Sequence, residues 1–145
     1  MNETHYSFNQ PQIEYRYDFV SISTDKEVHK RVLFTLTETE QVYNLALLDV
    51  LSNGETSDIV ETKNKDMRIV LATVMRIITD FLDKNPTVIV LFQGSDEKRQ
   101  RLYRIVINRE IETILQQFRI FGSIDNQIEV FESNRSYNFF LIIKR

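Results

Sequence analysis

The segment from Gly94 to Arg104, which reads GSDEKRQRLYR, carries the residue types best suited to binding an anion. Four of the seven residues from Lys98 to Arg104 are basic and none is acidic. Ser95 follows an apolar run and predicts the N-cap of a helix, whose free backbone N–H groups attract negative charge. Guanidinium groups add paired donors that suit phosphate or carboxylate, and a tyrosine can stack on a base. The candidate anion-binding residues are Ser95, Lys98, Arg99, Arg101, Tyr103 and Arg104.

The same arginines also fit a structural role. At 100° per residue Lys98, Arg101 and Arg104 span about 120° of a helix, and apolar residues interleave with them. Residues 1–62 contain 11 acidic and four basic residues, whereas residues 63–145 contain 10 acidic and 14 basic ones. Some arginines could therefore be half-buried partners of the acidic N-terminal strands. The two oppositely charged ends could instead meet a protein partner or a second copy of the chain.

A second constellation is built on carboxylates. Asp49 lies near the end of a predicted strand, and Glu61 and Lys63 form a Glu-x-Lys motif on a short predicted edge strand. This order is similar to that of restriction-endonuclease-type nucleases, whose carboxylates hold Mg²⁺ while a lysine supports attack on phosphate. A metal-dependent nuclease is therefore an alternative to a binding role. The favoured hypothesis is a non-enzymatic module with no cofactor and no metal.

Other residues allow weaker hypotheses. Tyr15, Tyr17 and Phe19 alternate along one strand, and this row predicts either a core face or a base-stacking platform. His5 and His29 are the only histidines, which excludes a histidine metal cluster.

The periodicity of the N-terminal half predicts a meander followed by a helix. Residues alternate with a period of two over 15–22, 31–36 and 42–50, with a short edge strand at 58–62. Short connections between these strands favour antiparallel pairing. An apolar stripe with helical spacing then predicts a helix over 66–84, with Asn64 or Asp66 as its N-cap.

The C-terminal half is less regular. A continuous apolar run predicts a strand over 87–92 that is covered on both faces. A second helix is predicted from Ser95 to about Phe118, with a kink near Asn108, and Gly122 is expected to end that segment. Residues 128–131 and 137–143 predict two final strands that could form a hairpin. The expected fold is α+β, a mainly antiparallel sheet with two long helices packed against it, in the order βββ(β)αβαββ.

Several segments resemble a family of small uncharacterised bacterial proteins that share a domain of unknown function. The resemblance is carried by the Gly-Ser-x-x-x-Arg-x-Arg-Leu-Tyr-Arg pattern at 94–104 and by the YNLA sequence at 43–46. The sequences NKD at 64–66, VLATV at 70–74 and FLIIKR at 140–145 also carry it. The resemblance implies one domain and names no activity. Asp96-Glu97 replaces the Thr-Pro opening typical of the family.

Length and composition limit the remaining classes. The chain has 145 residues, 42% of them hydrophobic and 27% charged, which predicts a single α+β domain over 13–145 after a flexible tail at 1–12. No stretch is long and apolar enough to span a membrane, and the first residues do not resemble a secretory signal. The absence of cysteine excludes disulfides and thiolate chemistry. The expected location is cytoplasmic, and the expected partners are a nucleic acid or another anionic ligand, or a protein or second copy.

Overall fold

The computed structural model of the chain describes residues 5–6, 8–9, 15–22, 27–57 and 64–145. The strands within these residues are β1 (Phe8–Asn9), β2 (Arg16–Ile22), β3 (Glu27–Leu36), β4 (Val42–Val50), β5 (Thr56–Ser57), β6 (Ile89–Phe92), β7 (Phe118–Ile124), β8 (Gln127–Val130) and β9 (Phe139–Lys144). The helices are α1 (Asn64–Lys84), α2 (Glu97–Arg109) and α3 (Ile111–Ile114). The strand predicted at 58–62 lies outside the described residues.

The strands form one sheet in the spatial order β1-β2-β3-β4-β6-β9-β7-β8, with β5 paired to the end of β4. Among the described pairs, β4 and β6 run parallel and the others are antiparallel. The predicted α+β class with a mainly antiparallel sheet is therefore confirmed. Of the described helices, none combines the length and the apolar content needed to cross a membrane.

Side chains alternate along the strands, and one face of the sheet forms the core. Tyr17 and Phe19 of the predicted aromatic row are buried there, at 0% and 4% exposure, so the core interpretation of the row is confirmed. Helix α1 lies on this face with its predicted apolar stripe buried, and the Phe81 ring stacks on Phe34 with centroids 3.9 Å apart. We call this side of the sheet the inner face.

The residues described within the predicted N-terminal tail contact the rest of the domain. Phe8 pairs with Phe19 in the β1–β2 ladder. The backbone N–H of Tyr6 donates to Thr73 Oγ1 at 2.8 Å, and its hydroxyl donates to Asp66. Two isolated aromatic residues in a polar stretch carry no periodic pattern, so their burial could not be predicted from the sequence.

The end of the second predicted helix is also wrong. Helix α2 ends at Arg109, close to the predicted kink, and the short α3 ends at Ile114. Phe118 then begins strand β7, in which Gly122 is an interior residue rather than a break. The spacing of Ile111, Ile114 and Phe118 suits a helix, but Phe118 and Ile120 are buried with the period of a strand.

The two final strands do not form a hairpin, because β7 lies between β8 and β9. The hairpin joins β7 to β8 instead. Its two-residue turn is Asp125-Asn126, with φ angles of 50° and 65°. Two consecutive left-handed residues give a turn whose twist matches that of paired strands, and aspartate and asparagine tolerate this conformation.

A buried ion pair joins β3 to β4. Lys30 and Asp49 are directly opposite in the ladder and face the core, with Nζ and Oδ1 2.7 Å apart. They are 0% and 4% exposed. Removal of one charge from such a pair leaves the other in a medium that solvates it poorly, so both members are required together.

Replacement of Lys30 by Met should lower the free energy of unfolding by about 3–5 kcal/mol, because Asp49 loses its cation inside the core. The matched control is Lys84→Met, which removes a largely exposed pair with Asp80 and should cost about 0.5 kcal/mol or less. Urea unfolding of both variants measures the difference. Equal losses in the two variants would contradict the assigned role of the buried pair.

Candidate functional site

The chain passes directly from β6 into α2 through a tight loop, Gln93–Gly94–Ser95. A Cβ atom on Gly94 would lie 2.3 Å from the backbone N of Gln100, so the loop can approach the helix only with glycine there. The Gly94 N–H donates to Gln100 Oε1 at 2.7 Å, and Gln100 Nε2 donates to the carbonyl of Tyr137 at 3.0 Å. Gln100 thereby holds the loop and the segment before β9 against the same turn of α2.

The N-cap of α2 is Asp96, one residue later than the predicted Ser95. Asp96 Oδ1 accepts a hydrogen bond from the Arg99 N–H at 2.8 Å, and the Arg99 guanidinium contacts Oδ2 at 2.5 Å. The hydrogen bond from the Arg99 backbone is the main cause of the lowered pKa of Asp96. Aspartate and serine are about equally good N-caps, but the negative charge of aspartate also interacts favourably with the helix dipole, which favours Asp96 over Ser95.

Asn64 and Asp66 are the two predicted N-caps of α1. Helix α1 begins at Asn64, whose side chain lies outside the described part of the chain, and Asp66 is its third residue. The Asp66 carboxylate accepts hydrogen bonds from the hydroxyls of Tyr6 and Ser21. Asp66 therefore ties the first turn of α1 to β2 and to the N-terminal segment, in addition to its favourable position near the helix start.

A cleft of about 710 Å³ opens beside the first turns of α2. Its walls come from the β6–α2 loop, the exposed side of α2 and the segment before β9. The lining residues are Gln93, Gly94, Ser95, Asp96, Glu97, Gln100, Arg101, Arg104, Ser136, Tyr137 and Asn138. Guanidinium, hydroxyl and amide groups thus converge on one concave surface, together with two carboxylates, of which Asp96 is engaged by its own helix.

The predicted anion-binding residues divide between this cleft and other surroundings. Ser95, Arg101 and Arg104 line the cleft, and Arg101 is exposed. Lys98 is exposed outside the lining, and Arg99 is paired with Asp96. Since Arg101 and Arg104 are one helical turn apart, their guanidinium groups can engage one ligand together.

Tyr103 is not available for base stacking. It is 2% exposed, and its ring stacks on Phe92 with centroids 4.8 Å apart. Burial is the main reason that its pKa is raised to about 12. Tyr103 is buried because α2 faces the sheet with Tyr103, Val106 and Ile107. In the sequence this apolar stripe is hard to recognise, because basic residues lie between and beside its members.

A smaller cleft of about 320 Å³ shares Gln93, Gly94 and Ser95 with the larger one. It is also lined by Tyr103 and by residues 44–48 of β4. The β4–β6 ladder ends at the Leu45–Phe92 pair, whereas β4 continues to Val50. Both clefts therefore lie at the carboxyl end of the parallel strand β6, where sheets with helical connections commonly bind ligands.

Ser136, Tyr137 and Asn138 were missed by the sequence reasoning. They lie 27 or more residues after the end of α2 and reach the cleft because β9 pairs with β6. The Tyr137 ring lies directly over Gly122, where a Cβ atom would be 2.1 Å from the ring. Its hydroxyl accepts from the Glu132 N–H and donates to Glu129. A polar run at 132–136 was the available sequence signal, and it indicated only a loop.

Of the predicted carboxylate constellation, the structure describes Asp49. That side chain is directed into the core and paired with Lys30, and Glu61 and Lys63 lie outside the described residues. Within the described ranges, no group of three or more histidine, aspartate or glutamate side chains could hold a metal ion.

A family model covers residues 2–145 of the chain, and its description is a family of unknown function, DUF6934. The chain belongs to the DUF6934 family. The expected relationship to a family of unknown function is thereby confirmed over nearly the whole length. Comparison of this DUF6934 chain with curated proteins and with solved structures finds no match.

Tyr103 should make the protein sensitive to alkali. The folded state holds the Tyr103 proton up to about pH 12, whereas the unfolded chain releases it near its ordinary pKa of 10.0, so rising pH favours unfolding between these values. Between pH 10 and about pH 12 this group accounts for a loss of about 2 kcal/mol. In Tyr103→Phe that part of the loss should be absent. Urea unfolding at pH 9, 10 and 11 tests this, and parallel pH dependence in both proteins would contradict it.

Proposed function

We propose that this protein is a non-enzymatic binding module that takes an anionic ligand of nucleotide size, such as one unit of a single-stranded nucleic acid, in the cleft beside α2. The observation that carries the proposal is the presence of Arg101 and Arg104, one turn apart, in the wall of a single cleft. Its volume of about 710 Å³ lies within the range of small-ligand sites.

The other lining groups support the same class of ligand. Ser95, Ser136 and Asn138 supply hydroxyl and amide groups that hydrogen-bond to phosphate or sugar oxygens. The first turn of α2 contributes the positive end of its dipole. Arg99 Nη1 lies 2.5 Å from Asp96 Oδ2 and neutralises that carboxylate. Asp96 therefore repels a bound anion less than an unpaired carboxylate would. Ligand contact is thus assigned to the Arg101–Arg104 side of α2.

Arg99 is paired with Asp96 at the start of its own helix, whereas the structural role predicted for the arginines is pairing with the acidic N-terminal strands. That role does not suit Arg101, which is exposed. A cytoplasmic location stays a prediction from the sequence, as does the identity of the anion.

Substitution of Arg101 or Arg104 by alanine should weaken binding of a short single-stranded RNA at least about tenfold, since each loses a charge-assisted hydrogen bond. Fluorescence anisotropy at low and moderate salt measures the affinity, which should fall steeply as salt is added. The matched control is Arg109→Ala, because Arg109 is exposed at the other end of the same helix.

The Arg109→Ala control should retain nearly the affinity of the unaltered protein. An equal loss of affinity in all three variants would indicate that binding depends on general electrostatic attraction rather than on the cleft. Absence of binding at low salt, both to the RNA and to a competing mononucleotide, would contradict the proposal altogether.

A further inference from the structure

The sheet has a second face that the described helices leave uncovered. Phe81 of α1 stacks on Phe34, and Tyr103 of α2 stacks on Phe92, and both partner rings belong to the inner face. The two long helices therefore pack on the same side. Strand residues at the alternate positions point to the opposite side, which we call the outer face.

The outer face is mainly apolar across the central strands, with Asn44 beside Leu91 as a polar exception. Sheets of this kind that expose one face to water usually carry polar residues on it. Here Leu91 pairs with Leu141, and Leu141 pairs in turn with Phe121, so three neighbouring strands present large apolar side chains side by side. The central outward residues are Leu33, Ala46, Leu48, Leu91, Phe121 and Leu141, all of them half-buried.

Charged residues are confined to the margins of this apolar surface. At one side Asp18 is paired with Arg31 at 2.8 Å and with Arg16 at 3.5 Å. At the other side Arg119 is exposed beside Ile143. Strand β8 adds Ile128 and Val130, which are 60% and 65% exposed. An apolar centre with a charged rim is the usual composition of a protein–protein interface.

We propose that the outer face packs against the same face of a second copy of this chain, and that the protein is a two-fold dimer with stacked sheets. Six strands, β3 to β8 in spatial order, spaced about 4.8 Å apart and each presenting about three outward residues, cover roughly 500 Å² of flat area. This area lies in the upper part of the roughly 300–600 Å² range of the largest apolar patch on a single molecule, and patches of that size are often functional.

The area also fits the proposed occupant. With the charged rim on β2 included, the face covers roughly 600 Å² of flat area, or about 1,200 Å² over both partners, which is the lower end of the range for a standard stable interface. A sheet face complements a copy of itself, since two sheets stack about 10 Å apart with interdigitating side chains. The same patch then serves both subunits, as a two-fold axis requires. The dimer also explains the continuous apolar sequence of β6, because both faces of that strand are covered in it.

The dimer is independent of the proposed anion-binding function, because the outer face and the α2 cleft are lined by different side chains. Multi-angle light scattering of the full chain should give twice the single-chain mass of 17.3 kDa. Leu91→Glu places a charge at the centre of the face and should give the single-chain mass. The matched control is Ile105→Glu on α2, since Ile105 is an apolar residue that is 39% exposed on the helical side.

Retention of the dimer by Ile105→Glu and its loss in Leu91→Glu, with unchanged circular dichroism, would support the proposal. A monomeric unaltered protein, or a dimer that survives Leu91→Glu, would overturn it. If Leu91→Glu does not fold, a nitroxide on Arg119→Cys replaces it, because the chain has no other cysteine. Dipolar coupling between two such labels supports the dimer, and its absence overturns it.

Discussion

The contact between Phe81 of α1 and Phe34 of β3 holds the long helix on the sheet. The two rings lie parallel with centroids 3.9 Å apart, and Tyr15 and Tyr43 pack against Phe81 from the sides. Burial of a ring of this size contributes about 3–5 kcal/mol, as judged by truncation to alanine. Because this contact fixes the position of α1 on the inner face, it also determines where the elements that contact α1 are held.

Two sets of polar contacts connect α1 to the rest of the chain. Asp66 in its first turn accepts from Tyr6 and Ser21, which brings the N-terminal segment onto the core. Arg68 contacts Glu110 at 2.8 Å, at the junction of α2 and α3. Helix α2 is thereby held beside α1 on the same face, with its N-terminus at the carboxyl end of β6. The cleft at that end and the uncovered outer face both result from this one-sided arrangement.

The parts of the fold that could be predicted from the sequence are those with a long, unambiguous period. The stripe of α1 and the alternation of β2, β3 and β4 are of this kind, and they were identified correctly. Strand β7 was missed because Ile111, Ile114 and Phe118 fit a helix as well as they fit a short helix followed by a strand. Local spacing cannot distinguish the two, since the choice is made by pairing with β9, which begins 15 residues after β7 ends.

The candidate site was predictable only in part for the same reason. Ser95, Arg101 and Arg104 belong to one continuous segment, and a basic helix start after a strand is visible in the sequence. The contribution of Ser136 and Asn138 depends on long-range strand order. The burial of Tyr103 and the pairing of Asp49 with Lys30 depend on which face each residue meets, so residue type alone assigned them to the wrong surroundings.

Chemical-shift mapping of backbone amides during titration with a short single-stranded RNA shows whether the cleft beside α2 is the ligand site. If it is, the shifts should be confined to residues 93–104 and 136–138, with the outward residues Leu91 and Leu141 unaffected. Shifts that map to the outer face, or no shifts at low salt, would contradict this assignment.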